Sequence, residues 1–203
     1  LGQDANNKIS YQSILLVGFG KKGAEADLAN IAQSTGQSWV NHQVELRGTL
    51  IYYDDKVVME LSEGADAFVE RGQAVQLNLP RQDFGDVKLR GEIYDPKCAL
   101  GVMKPGYGKS HRSCAVRCIA GGIPPLFRVV DEMGHNNYFL LFDENGQKLN
   151  MQVLDYVADQ IQICGRLERQ SDWMLVYLNP QKDIWRLQHH FMEGAATLCG
   201  TAQ

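Results

Sequence analysis

The sequence predicts a mainly β chain built from small Greek-key barrels, and two observations lead there. Three segments centre a glycine in an alternating apolar and polar run: Val44-Glu-Leu46-Arg-Gly48-Thr-Leu50, Val87-Lys-Leu89-Arg-Gly91-Glu-Ile93 and Ile161-Gln-Ile163-Cys-Gly165-Arg-Leu167. Alternation with period two marks a half-buried strand, and the central glycine marks a bulge or a tight bend. The first and third segments also match without a gap at an offset of 117 residues, pairing Val40 with Val157, Gln43 with Gln160, Gly48 with Gly165, Leu50 with Leu167, Asp55 with Asp172 and Leu61 with Leu178. Each stretch reads as strand, short turn (Tyr53-Asp54-Asp55 or Gln170-Ser171-Asp172), strand, which is the pattern of a hairpin.

The remaining elements follow in order. Residues 14–19 form an apolar strand, 24–32 a helix and 44–61 the first hairpin. Residues 71–85 read as a linker in which 74–79 is a candidate further strand. A long strand over 87–94 leads into a loop rich in cysteine, and strands follow near 126–130 and 138–142 with Met133-Gly134-His135-Asn136-Asn137 as their turn. The spacing of Leu149, Val153, Leu154 and Val157 predicts an amphipathic helix over 149–158, ahead of the closing hairpin at 161–178. Five strands with a helix before the fourth is the order of an OB-like barrel. The expected architecture is therefore two OB-like Greek-key β-barrel modules in tandem, the first one partial, each with a short helix. They span 1–80 and 86–187, with a Cys/His metal loop at 95–125 in the second, and 188–203 is a tail.

The chain has 203 residues and a formal net charge of −4. That acidic balance argues against a sequence-independent nucleic-acid binder, although Lys104, Lys109, Arg112 and Arg117 form a local basic cluster. No apolar run approaches the roughly 20 residues that cross a bilayer. The chain opens on Leu1, as expected of a processed or partial chain whose upstream sequence supplies a signal or an anchor.

Chemistry concentrates in Cys98-x12-His111-x2-Cys114-x3-Cys118, which holds three of the five cysteines. Three thiolates and an imidazole make a Cys3His set, whose commonest occupant is tetrahedral zinc. Pro105, Gly106 and Gly108 let the intervening loop turn back so that Cys98 can meet the other three. On a regular helix His111 and Cys118 stand about 10.5 Å apart along the axis, which a long imidazole reaching down the helix just spans, so gathering all the ligands on one ion is strained and a break in that helix would ease it. A disulfide from Cys98 to Cys114 or Cys118, or a reactive thiol, is the alternative. An iron site is another, although the spacing fits none of the ferredoxin patterns; Met103 and His135 would be extra donors for mononuclear copper or iron. Asp95 is placed to cap the loop or to hydrogen-bond a ligand. Cys164 sits within a strand pattern as a small buried thiol, and Cys199 and His189-His190 lie in the tail.

The run Gly91-Glu92-Ile93-x-Asp95-x-x-Cys98, followed by Gly106-x-Gly108-x-x-His111-x-x-Cys114-Ala115-x-x-Cys118-Ile119-x-Gly121-Gly122-x-Pro124, resembles a family of uncharacterised exported bacterial proteins. Those proteins carry Asp-x-x-Cys…Gly-x-x-His-x-x-Cys-Ala-x-x-Cys…Gly-x-Pro. The resemblance is strong over the loop and looser over the rest of the second half. It implies a periplasmic or extracytoplasmic protein, membrane-anchored through upstream sequence, whose Cys/His set works as a unit. It supplies no substrate.

Gly18-Phe-Gly20-Lys21-Lys22-Gly23 imitates a phosphate-binding glycine loop, but the strands after it read as antiparallel, which leaves a turn between strand and helix. The function expected is a non-enzymatic metal-binding module serving a membrane-associated redox or metal-handling system, with a protein partner, no nucleic acid, and zinc on Cys98, His111, Cys114 and Cys118. Two alternatives stand beside it. One is electron transfer through an iron–sulfur cluster or reactive thiols. The other is an oligonucleotide- or sugar-binding module stacking on Tyr52, Tyr53, Trp173 and Tyr177.

Overall fold

The computed structural model describes residues 2–3, 9–10 and 12–187, so the tail at 188–203, with His189, His190 and Cys199, lies outside the described residues. Two short strands, β1 (Gly2–Gln3) and β2 (Ile9–Ser10), pair antiparallel. The first half continues with β3 (Ile14–Gly18), helix α1 (Glu25–Thr35), β4 (His42–Leu46), β5 (Thr49–Tyr53), β6 (Lys56–Leu61) and β7 (Phe68–Ala74). Strand β3 runs parallel to β6, and β5 pairs antiparallel on the other side of β6. The expected hairpin is thus split: β4 leaves the sheet beside Gly48 and pairs with β7.

The second half comprises β8 (Arg81–Tyr94), α2 (Arg112–Ala120), β9 (Leu126–Val130), β10 (Asn136–Asp143), β11 (Ile161–Gln170), β12 (Trp173–Leu178) and β13 (Ile184–Arg186). Strands β8, β9 and β10 pair antiparallel in succession, and β11 returns to lie beside β8, which is a Greek key. Strand β12 pairs antiparallel with β11 and parallel with β10, closing a five-stranded barrel. Strand β13 extends β11 at its start. The order and directions of β10, β12 and β11 are those of β3, β6 and β5, and β6 coincides with β12 residue for residue at the 117-residue offset.

The three glycine-centred segments share one physical cause. A Cβ at Gly48 would meet the Glu60 carbonyl oxygen at 2.3 Å, at Gly165 that of Tyr177 at 2.6 Å, and at Gly91 that of Arg128 at 2.1 Å. Each glycine lets a neighbouring strand come closer than any side chain allows.

Two expectations are corrected. The segment 149–158 is a string of turns with one 3-10 turn at Leu154–Tyr156 and is not an α-helix. Its bonds run from Gln152 to Leu149 and from Tyr156 to Val153, while Val157 bridges to Ile93 and Ala158 sits at φ 59°. Leu149, Val153 and Val157 are still fully buried, so the apolar pattern served to plug the barrel. The helix of this half lies instead in the cysteine loop. The linker also shrinks to residues 75–80, because β7 reaches Ala74 and the first residues of β8 pair with the end of β11 past a bulge where Gly85 sits at φ 75°.

Three apolar clusters hold these layers. Ile93, Phe127, Phe139, Leu141, Ile161 and Val176 fill the barrel. Leu126, Tyr138, Leu140, Trp173 and Leu175 face outward from it and are covered by Val17 and Val58 of the first sheet and by Cys98, Leu100, Cys118 and Ile123 of the loop. On the far side of the first sheet, Trp39, Leu61 and Phe68 pack with Leu28 and Ile31 of α1. Each such burial contributes about 1.5–3 kcal/mol, so the second cluster is what keeps the sheet on the barrel. Among the described residues no helix is long and apolar enough to cross a membrane. Because the Arg128 carbonyl cannot retreat without breaking the β8–β9 ladder, Gly91→Ala should lower stability by about 1–3 kcal/mol. Urea unfolding would read this as a lower midpoint, and an unchanged midpoint would contradict the close approach.

Candidate metal centre

Strand β8 ends at Tyr94, and the fully buried Asp95 follows. Its Oδ1 accepts the Cys98 backbone N–H at 2.9 Å, and its carbonyl accepts that of Ala99 at 3.0 Å, starting the helical turn Cys98–Val102. Asp95 is therefore the cap of the loop. The chain folds back at Gly106, where a Cβ would meet the Cys98 carbonyl oxygen at 2.2 Å, and Gly108 donates its N–H to the Tyr94 hydroxyl at 2.8 Å. Helix α2 then sends Ala115 and Ile119 into the barrel core and Cys118 into the outer one. Cys114, one turn earlier, lies half-buried on the same face.

The loop gathers the expected ligands into two triads that share Cys98. The thiols of Cys98, Cys114 and Cys118 lie within 4.8 Å of one another, and so do the ligand atoms of Asp95, Cys98 and His111. No disulfide joins the described cysteines, and Cys98 Sγ stands 4.0 Å from Cys114 Sγ, nearly twice the S–S bond length of about 2.05 Å. With Zn–S bonds of about 2.3 Å, two sulfurs at tetrahedral corners stand about 3.8 Å apart, close to the separation seen. Asp95 Oδ2 faces His111 Nε2 at 3.6 Å; both atoms are buried and neither has a hydrogen-bond partner. Orphaned polar atoms at such depth cost free energy unless a cation or a proton satisfies them.

A second element, 77 or more residues upstream, completes the site. The β3–α1 turn lies against the loop through backbone contacts that only glycines permit. Gly23 N–H donates to the Gly121 carbonyl at 2.9 Å, and a Cβ at Gly121 would meet the Lys21 carbonyl oxygen at 1.8 Å. Lys97, 4 % exposed, fixes this turn by donating to the carbonyls of Gly18 (3.3 Å) and Gly20 (2.6 Å) and by pairing with Glu60. The glycine-rich turn is thereby a docking device. It carries Lys21 Nζ to 2.7 Å from Cys114 Sγ and 3.9 Å from Cys118 Sγ.

Two of the thiols are shifted in opposite directions. The hydrogen bond between Cys98 and Cys118 pushes the Cys98 thiol far up, and burial adds to this, while the same bond holds Cys118 below the ordinary thiol range with help from the Lys21 charge. Lys21 is raised chiefly by its hydrogen bond to Cys114.

Other candidates fall elsewhere. Met103 is 45 % exposed, and His135 lies in the exposed β9–β10 turn facing Asp131. Trp173 is buried, with its indole N–H on the Ser13 carbonyl and the Lys56 ammonium over its ring, so it offers no stacking face. Tyr52 and Tyr53 are exposed on β5, whereas Tyr177 packs between Arg166 and Phe142. Sequence reasoning missed Lys21 and Lys97. The glycines on both sides of the contact were the available signal, but nothing in the sequence pairs residue 23 with residue 121.

Replacing Lys97 by Met strands the Glu60 carboxylate and two carbonyls, so the variant should lose about 3 kcal/mol of stability, the low end for a broken buried pair because Glu60 keeps some contact with water. Equilibrium unfolding measures this, and a loss below 1 kcal/mol would show that the ammonium does not hold the turn. Comparisons of the chain with protein-family models, curated proteins and solved structures return no match.

Proposed function

We propose that the protein is a non-enzymatic metal-binding module that holds zinc through Cys98, Cys114, Cys118 and His111. The carrying observation is the convergence of three unbonded thiols with a buried His111–Asp95 pair whose facing atoms lack hydrogen-bond partners. Sulfur and imidazole donors suit zinc, which as a closed-shell ion would fasten the loop without redox chemistry. Three thiolates and a neutral imidazole around a dication leave one negative charge, which the Lys21 ammonium offsets from 2.7 Å. A set filled by protein ligands leaves no position for water, which supports a structural role over a catalytic one.

The closed Greek-key barrel supports an OB-like second module, and the matching order of β3, β6 and β5 supports a partial copy in the first half. The resemblance of the loop to exported bacterial proteins is what supports an extracytoplasmic setting and a membrane-associated protein partner.

Elemental analysis and a visible spectrum of protein purified without added metal, with free thiols counted before and after chelation, test the metal reading. One zinc per chain, no colour and three thiols released by chelator are expected. Cys118→Ser should lower zinc affinity by at least about tenfold, and chelation should lower the thermal midpoint of the wild type but not of that variant. Iron with charge-transfer bands would move the protein to electron transfer. A metal-free protein with all thiols titrating at once would overturn the proposal.

A further inference from the structure

The Lys21–Cys114 contact has chemistry of its own. Its 2.7 Å separation is at the short end even for N–H···O hydrogen bonds, and sulfur is larger than oxygen. Lys21 is exposed and Cys114 half-buried, so a small oxidant reaches both atoms from solvent. The sulfur of Cys98 stands further off, at 4.0 Å from that of Cys114, and is buried. An oxygen atom bonded to both nitrogen and sulfur at a bent angle spans a gap of this size, whereas a disulfide requires the sulfurs to approach first.

We propose that, in the metal-free protein, a peroxide couples Cys114 and Lys21 through a bridging oxygen, forming a reversible N–O–S cross-link. The first peroxide transfers one oxygen to Cys114 Sγ: its O–O bond breaks, an S–O bond forms, water leaves, and the thiol becomes a sulfenic acid. A second peroxide transfers an oxygen to the lysine nitrogen in the same way, giving N–OH and a second water. Condensation of S–OH with N–OH then closes S–O–N and releases a third water. Sulfur and nitrogen each lose two electrons, the two peroxides take up all four, and the ammonium proton goes to solvent. Two dithiols, each giving up two electrons as it closes to its disulfide, reverse the bond: the four electrons return thiol and amine, and the bridging oxygen leaves as water.

The cross-link would tie the β3–α1 turn of the first half to α2 of the second, and would remove Cys114 from the metal-ligating set. Its formation does not depend on the zinc reading; the competition between the two does.

The test treats chelated, reduced protein with a few equivalents of hydrogen peroxide and follows intact mass and peptide maps. The expected product gains one oxygen and loses two hydrogens, maps to a linked peptide pair containing Lys21 and Cys114, and returns to the starting mass with dithiothreitol. Lys21→Arg keeps the positive charge and should give none of it, as should Cys114→Ser. A disulfide among Cys98, Cys114 and Cys118, an unlinked sulfenic or sulfinic acid, or a linked product that resists dithiothreitol would overturn the proposal. A parallel zinc-loaded sample separates the two ideas. Protection by zinc supports the metal reading, and equal cross-linking with and without zinc counts against that reading while leaving the cross-link established.

Discussion

The buried ammonium of Lys97 is the interaction on which the arrangement depends. It belongs to the cysteine loop but satisfies the carbonyls of Gly18 and Gly20 and the carboxylate of Glu60, all in the first half. A charge at that depth is tolerated only with such a full set of partners. Its position one residue before Cys98 means that the contact docking the β3–α1 turn also fixes the first thiol. The Gly23–Gly121 backbone bond and the glycine surfaces around it follow from the same approach. Lys21 is carried over Cys114 as a consequence.

Around that anchor the protein gathers three thiols in a largely apolar layer. Cys98 and Cys118 share a core with Val17, Val58, Leu100, Ile123 and Leu126, where uncompensated thiolates would be costly. Compensation comes from the Lys21 ammonium beside Cys114 and, in the proposed metal-bound form, from a dication. The facing Asp95 and His111 atoms add to this: the loop is capped and packed, yet these two buried atoms have no hydrogen-bond partner. In a small barrel such a feature fits a ligand better than it fits stability alone.

Much of this was legible in the sequence, for physical reasons. Alternating residues located the barrel strands, and residues 126–130 matched the observed β9 because its apolar faces have no competing use. The run Tyr138-Phe139-Leu140-Leu141 is buried on both faces, Phe139 and Leu141 inside the barrel and Tyr138 and Leu140 beneath the first sheet. An uninterrupted apolar run carries that information. The glycines of the repeated segments were legible as close approaches, though which strand approached was not. Residues 149–158 misled because a helical spacing of Leu149, Val153 and Val157 serves equally to plug a barrel by successive turns, and two of these residues are β-branched. The cysteines and His111 were legible by residue type and spacing. Lys21 and Lys97 were not, since a lysine's role here is set by docking across 77 or more residues of chain, and no local pattern encodes that.

The most direct test of the central claim is X-ray absorption at the zinc edge on protein isolated with its metal. The proposal expects about three sulfur scatterers at roughly 2.3 Å and one nitrogen at roughly 2.0 Å. A shell made only of oxygen and nitrogen, with no sulfur contribution, would contradict it, because the three thiols would then be gathered for something other than a metal.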